Sequence, residues 1–256
     1  MNSVNHISVL SLGFSSCLIL ITLFFSYWQK LKLEKDILIG VVRAVVQLAL
    51  VGYILDYIFG CENPLFTSLL VLFMIFNGAF NAHKRGRMIQ NGLAISFLSI
   101  AAGTIITLLI LVLAHTIRYQ PYQIIPISGM IIGNAMVALG LCYKQLAANF
   151  KDKAPEVESK LALGADILPA SIEIIRDAIK TGMVPTIDSA KTLGIVSLPG
   201  MMTGLILAGA SPIEAIKYQI MVTFMLLSAT SIASFIACYL SYKSFFNERK
   251  QLIVLK

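Results

Sequence analysis

Long apolar runs separated by short polar ones dominate the chain, and each run is close to the length that crosses a bilayer. A spanning helix needs about 20 mostly apolar residues. Seven stretches meet that pattern: 7–28, 37–59, 65–81, 93–116, 124–143, 192–210 and 218–242. The third is short, and Pro199 and Gly200 break the sixth. Trp28, Tyr57, Phe59, Tyr119, Tyr122 and Tyr242 fall at span ends, where aromatic rings sit between lipid and water. The expected fold class is therefore all-α, a polytopic membrane helix bundle of about seven spans forming a single domain over residues 1–256.

One polar segment is long. Residues 144–191 lie between the fifth and sixth spans, with the structured part expected over 147–191. There Leu168, Ile172, Ile175 and Ile179 recur at helical spacing, with Glu173, Arg176, Asp177 and Lys180 on or beside the opposite face. Gly182 is the expected C-cap and Pro185 follows it. This predicts an amphipathic helix, and two readings stay open: a helix resting on the bilayer surface, or a docking helix for a cytoplasmic partner. The mixed acids and bases on its polar face differ from the Lys/Arg-rich face of lipid-surface helices.

Composition agrees with lipid as the main solvent. Hydrophobic residues make up 57% of the chain and charged residues 13%, against about 25% charged in soluble domains, and the mean hydropathy is +0.83. The net charge of +7 would suggest nucleic acid in a soluble protein, but the basic residues occupy short loops between apolar runs. No aromatic-interleaved basic stripe is present to stack bases, so a nucleic-acid partner is not expected. Seventeen of the 20 Lys and Arg residues fall on one side of the expected spans, against Arg118 and Lys217 on the other and Arg43 within a span. The positive-inside rule then places the N-terminus outside and the C-terminus in the cytoplasm. Residues 1–6 hold no Lys or Arg, so the first apolar run is expected to be a retained helix rather than a secretory signal.

Polar residues within the spans are the candidate functional groups. Arg43 lies about 9 Å in from Ile37 at 1.5 Å per residue, with Gln47 one turn on and on the same face. A polar network and simple snorkelling to the cytoplasm both remain open for it. Asp56 lies too far along the same helix to pair with Arg43. Asn77 and Asn81 share a face of the third span. Gly129 and Gly133 make a small-xxx-small packing pair beside Asn134 on the fifth. Pro199 and Gly200 interrupt the sixth span, next to the adaptable thioethers of Met201 and Met202. Broken helices at membrane depth are tolerated where they are buried in protein or line a wet cavity.

Several chemistries are missing from the sequence. It has no GxxxxGK[ST] phosphate loop and no HExxH pair. His6, His83 and His115 are scattered near span ends. Cys17, Cys61, Cys142 and Cys238 show no CxxC spacing, and small apolar fillers are the reading they support.

Four segments carry a resemblance: the span with Arg43, Gln47 and Leu48, SGMIIGNAM at 128–136, LALGA at 161–165, and PTIDSAKTLGIVSLPGMMTGLILAGASPIEAIKYQI at 185–220. In these the chain resembles the FetB/YbbM-type permeases. These are ABC-transporter membrane subunits, and they include bacterial iron or metal export permeases and relatives of plant aluminium-tolerance proteins. The resemblance implies a permease half-unit that forms a homodimer and works with a separate cytoplasmic ABC ATPase. This chain would bind no cofactor and would use ATP through its partner. LALGA resembles the Ala/Gly cytoplasmic loop by which permeases engage their ATPase. The chain departs from the family at Leu205, where a Gln is common, which removes a polar side chain near the broken helix.

The function expected on these grounds is the membrane subunit of an exporter moving iron or another metal out of the cytoplasm. It would be a multi-pass protein of the plasma (inner) membrane and not an enzyme. The expected substrate path holds Arg43, Gln47, Asn77, Asn134, Met201 and Met202. The expected ATPase coupling residues are Glu158, Gly164, Glu173 and Arg176. A self-contained secondary transporter or channel, and a structural or assembly protein, are the alternatives. No metal cage is evident in the sequence.

Overall fold

A computed structural model describes residues 13–60 and 63–253, with backbone alone over 54–60. The start of the expected first span, Cys61, Lys256 and the side chains of Asp56, Tyr57 and Phe59 lie outside the described residues. Nine α-helices are present among the described residues: α1 Cys17–Trp28, α2 Glu34–Gly60, α3 Pro64–Arg85, α4 Gly92–Leu113, α5 Pro121–Asp152, α6 Ala154–Ala162, α7 Ile167–Thr192, α8 Gly200–Leu207 and α9 Pro212–Ser241. A 3-10 turn, Tyr242–Phe245, follows, and no strand occurs among the described residues. The protein is an all-helical membrane bundle, in which α2, α3, α4, α5 and α9 are long and apolar enough to cross a bilayer.

The chain divides into two compact units. The first holds α1 and α2. Their connection is tied by Ser26, which donates to Glu34 Oε1 at 2.8 Å and accepts from the Leu33 N–H at 3.3 Å. Glu34 and Asp36 begin α2, where the helix dipole favours acids.

The second unit holds α3 to α7, α8 as far as Ile206, and α9. Asn63 caps α3 by accepting from the Leu65 N–H at 2.9 Å, Pro64 opens the helix, and His83, Lys84 and Arg85 close it. Ser211 caps α9, accepting from the Glu214 N–H at 3.3 Å in an S-x-x-E arrangement. Contacts at the two ends give the helix directions. Phe150 stacks on Phe245 at 4.3 Å, and the Ser96 and Tyr143 hydroxyls meet at 2.9 Å. With Arg85 against Gly140, these contacts gather the ends of α3, α5 and α9 and the start of α4 at one end, which carries Arg85, Lys144, Lys151 and Lys243. At the opposite end Ser68 meets Tyr119 at 2.6 Å. Helices α3, α5 and α9 therefore run toward the basic end, and α4 runs away from it.

Since α5 and α9 run the same way, the chain must return between them, and α7 makes that return. Lys153 Nζ lies 3.4 Å from Asp177 at the basic end. Farther along, Gly182 is pressed against Cys142 and Ala138 of α5. The end of α7 reaches the level of Met130 and Asn134. This differs from the expected helix ending at Gly182. Gly182 is buried as a packing residue, and Pro185 sits inside a helix that continues to Thr192. The buried face is Ala170, Ser171, Ile174, Ile175, Ala178, Gly182 and Thr186, whereas Leu168 is exposed. Small residues win this face because they let helix backbones approach closely, a preference that large-residue periodicity does not register.

The expected sixth span, 192–210, is not one helix. Leu193 pairs with Ser197 across a turn with Gly194 at φ +80°, and α8 has only 8 residues. That is about 12 Å of helix against a hydrocarbon core of about 30 Å. Consequently Lys191 belongs within the length of the bundle rather than in a loop at its basic end.

A cavity at the helix break

Asn134 and Met201, two of the expected path residues, meet at a cavity of 290 Å³ between α5, α7, α8 and α9. Pro199 and Gly200 form its wall at the break, because the turn before α8 opens the space that a continuous helix would fill. The Asn134 amide donates to the Met130 carbonyl at 2.8 Å, which leaves its own oxygen for the cavity. Thr223 donates to the Gln219 carbonyl at 2.9 Å. The Gln219 side-chain oxygen is enclosed with no hydrogen-bond partner among the described residues, a state that calls for a water or a ligand. Thr186, Ser189 and Met130 also line it, beside the apolar Ala190, Leu193, Val222 and Leu226. The donors are amide, hydroxyl and thioether groups. Such a set can replace part of a cation's hydration shell, and it offers no nucleophile–base pair for covalent chemistry.

The other expected path residues lie elsewhere. Met202 is half-buried on α8 and is not in the cavity wall. Asn77 is exposed on α3, where its carbonyl and side-chain oxygens accept from Asn81 at 2.8 and 3.3 Å. Arg43 and Gln47 are exposed on α2 in the first unit. Sequence reasoning missed Thr186, Ser189 and Gln219, together with the Asp188–Lys191 ion pair at 3.0 Å beside the cavity. The available signal is the i, i+3 spacing of that pair, at the end of the long polar segment 144–191. Among the described residues no group of three or more His, Cys, Asp or Glu side chains is placed to hold a metal.

At the basic end, Glu158 and Gly164 line a cleft of 610 Å³ with Asp166, Arg249 and Lys250. Gly164 takes φ +91°, a left-handed turn that suits glycine, and Leu163 beside it is 89% exposed. Lys250 Nζ bonds Asp166 Oδ1 at 2.9 Å, which ties the C-terminal segment to the α6–α7 corner. That ammonium, helped by the Ile167 N–H, holds the Asp166 carboxyl below its ordinary value. Lys160 bonds Glu156 at 2.7 Å and reaches Glu173 at 3.8 Å, and the first contact lowers the Glu156 carboxyl and raises the Lys160 ammonium. Arg176 is exposed on the outer face of α7.

The bundle defines a multi-pass membrane protein. Residues 9–246 match the family described as "Uncharacterised protein family (UPF0014)", and the chain belongs to that family. It is 51% identical over 254 residues to the "Probable iron export permease protein FetB" of Escherichia coli (strain K12), covering 99% of this chain and 98% of that protein. It is 40% identical over 234 residues to "Protein ALUMINUM SENSITIVE 3" of Arabidopsis thaliana, covering 91% and 86% of the two chains. The "UPF0014 membrane protein YjkA" of Bacillus subtilis (strain 168) is 39% identical over 243 residues, covering 95% and 97%. No solved structure matches the chain.

Proposed function

We propose that this chain is the membrane subunit of an ATP-driven exporter of metal cations, acting as a homodimer with a separate cytoplasmic ABC ATPase. The basic end faces the cytoplasm by the positive-inside rule. The observation that carries the reading is the α6–α7 corner, where the apolar Leu163 is 89% exposed among charged residues at that end. A chain without a phosphate loop needs its energy from outside, and the Gly164 turn, with Leu163 exposed beside the charged cleft, offers a contact for a soluble ATPase. Movement of that corner passes directly into α7, since Asp166 caps α7 and α7 forms one wall of the cavity. Glu158, Gly164, Glu173 and Arg176 are the coupling groups in this reading, and the chain holds no cofactor of its own. The relative named as an iron export permease supports a metal as cargo.

The test is co-expression with a candidate ABC ATPase from the same organism. The two subunits are expected to co-purify, and ferrous iron added to the outside of inside-out vesicles, the face that carries the basic end and the ATPase, is expected to stimulate ATP hydrolysis. Transport by the lone chain on an ion gradient, with no ATPase, would sink the proposal.

A further inference from the structure

The exposed face of α7 starts polar at the basic end, passes the apolar Val184, and is charged again at Asp188 and Lys191, at a depth where lipid would be its neighbour. Glu173, Arg176, Lys180, Val184, Asp188 and Lys191 recur every three or four residues, so they form one stripe, opposite the buried Ala170, Ile174, Ala178, Gly182 and Thr186. The height of Asp188 and Lys191 can be measured from both ends. Gly182 contacts Cys142, close to Lys144 at the basic end. At 1.5 Å per residue, Asp188 lies about 9 Å and Lys191 about 13 Å beyond Gly182. From the other end, the cavity beside the pair includes Asn134, about 18 Å along α5 from Tyr122, and Thr223, about 8 Å along α9 from Tyr218. The measures along α7 and α5 place the pair near the middle of a hydrocarbon core about 30 Å thick, and the measure along α9 places it within that core, nearer the end opposite the basic one.

Asp188 and Lys191 are nonetheless exposed, with side chains 58% and 69% accessible, and they bond each other at 3.0 Å. An ion pair facing hydrocarbon is costly, and ionisable residues at such depth line water-filled cavities or pathways. The adjacent Ser189 opens into the cavity that holds Asn134 and the unpartnered oxygen of Gln219.

The geometry points to Asp188 as the carboxylate that receives a cationic cargo on a water-filled path along α7, with Lys191 as the tethered counter-ion that the cargo displaces. The inference rests on the exporter reading and deepens it. The cargo class is a partly hydrated divalent cation bound through oxygen, because a carboxylate with amide and hydroxyl neighbours suits such ions. In the empty path Lys191 neutralises Asp188. A divalent cation takes its place, and the released ammonium swings into the water of the path.

The experiment has two arms, both on the full chain with its ATPase. In the first, Asp188→Cys and Lys191→Cys are made in a Cys17→Ser, Cys61→Ser background, where the remaining thiols, Cys142 and Cys238, are buried. Membrane vesicles are then treated with a hydrophilic thiol reagent. Both positions are expected to react, whereas Leu109→Cys and Phe224→Cys, on exposed apolar positions, stay silent. Silence at 188 and 191 overturns the inference.

In the second arm, ferrous iron is titrated against ATP hydrolysis. Asp188→Asn is expected to raise the iron KM at least about tenfold, and Lys191→Gln to lower it. A structural ion pair would shift both variants the same way and would be rescued by the Asp188→Lys, Lys191→Asp exchange. Either result overturns the cargo assignment. Co-purification of the ATPase is scored separately, so the pair can lose its role while the exporter reading stands.

Discussion

Gly182→Ala is expected to push α7 off α5. A methyl group at this position would sit inside the contact distance of Cys142 Sγ and 2.9 Å from the Ala138 carbonyl oxygen. The sulfur is buried, and the carbonyl belongs to a helix, so neither neighbour yields cheaply. Overpacking of this kind costs about 1–3 kcal/mol. Removing a helical glycine returns about 1 kcal/mol. With a backbone atom among the clashes, the upper part of the first range applies, and the net loss is about 1–2 kcal/mol. At about 2–4 °C per kcal/mol for chains of this length, the melting temperature of the detergent-purified protein falls by about 2–8 °C. Adding Cys142→Ala removes the sulfur clash but leaves the carbonyl, so it restores part of the loss. Gly200→Ala is the control, because nothing lies within 4 Å of the added carbon. An unchanged melting temperature in Gly182→Ala would refute the claim that α7 packs in this groove as the returning element of the bundle.

Two further outcomes are expected. The Asp166 carboxyl is lowered, first by Lys250, so its contribution is present above the ordinary aspartate value and is lost as pH falls through the lowered one. Hydrogen-exchange protection over residues 247–253, relative to the unstructured rate at the same pH, is therefore expected to fall below about pH 4, and Lys250→Gln should show the same loss of protection at pH 6. Equal exchange in variant and parent would rule out the tie. Tyr143→Phe removes the hydroxyl that meets Ser96 at 2.9 Å, while Ser96 keeps its bond to the Gly92 carbonyl at 2.7 Å. The expected loss is about 1 kcal/mol by thermal unfolding, and a loss above about 3 kcal/mol, the scale of a deleted core side chain, would contradict that account.

The membrane class was legible along the chain, because a solvent as distinctive as lipid imposes a length and a composition that no tertiary contact can disguise. The apolar character of α2, α3, α4, α5 and α9 was readable for that reason, as was the break at Pro199 and Gly200, where proline chemistry acts locally. Asn134 and Met201 were visible as candidates because polar and polarizable groups stand out against an apolar run. Their meeting was not visible, since α5 and α8 lie far apart in the chain and only packing brings them to one cavity.

Tertiary structure alone decided the place of α7. Its charges read as the polar face of an amphipathic helix outside the spans, and its glycine and proline read as an end, whereas Gly182 is where α7 meets α5 and Pro185 lies inside the helix. Once α5 and α9 lie side by side and point the same way, the chain between them has to travel back the length of the bundle. Local sequence chemistry does not encode that requirement, because it arises from the direction of two helices separated by some 60 residues. The same requirement lifts Asp188 and Lys191 from an expected loop to mid-depth beside the cavity, where their charge bears on transport.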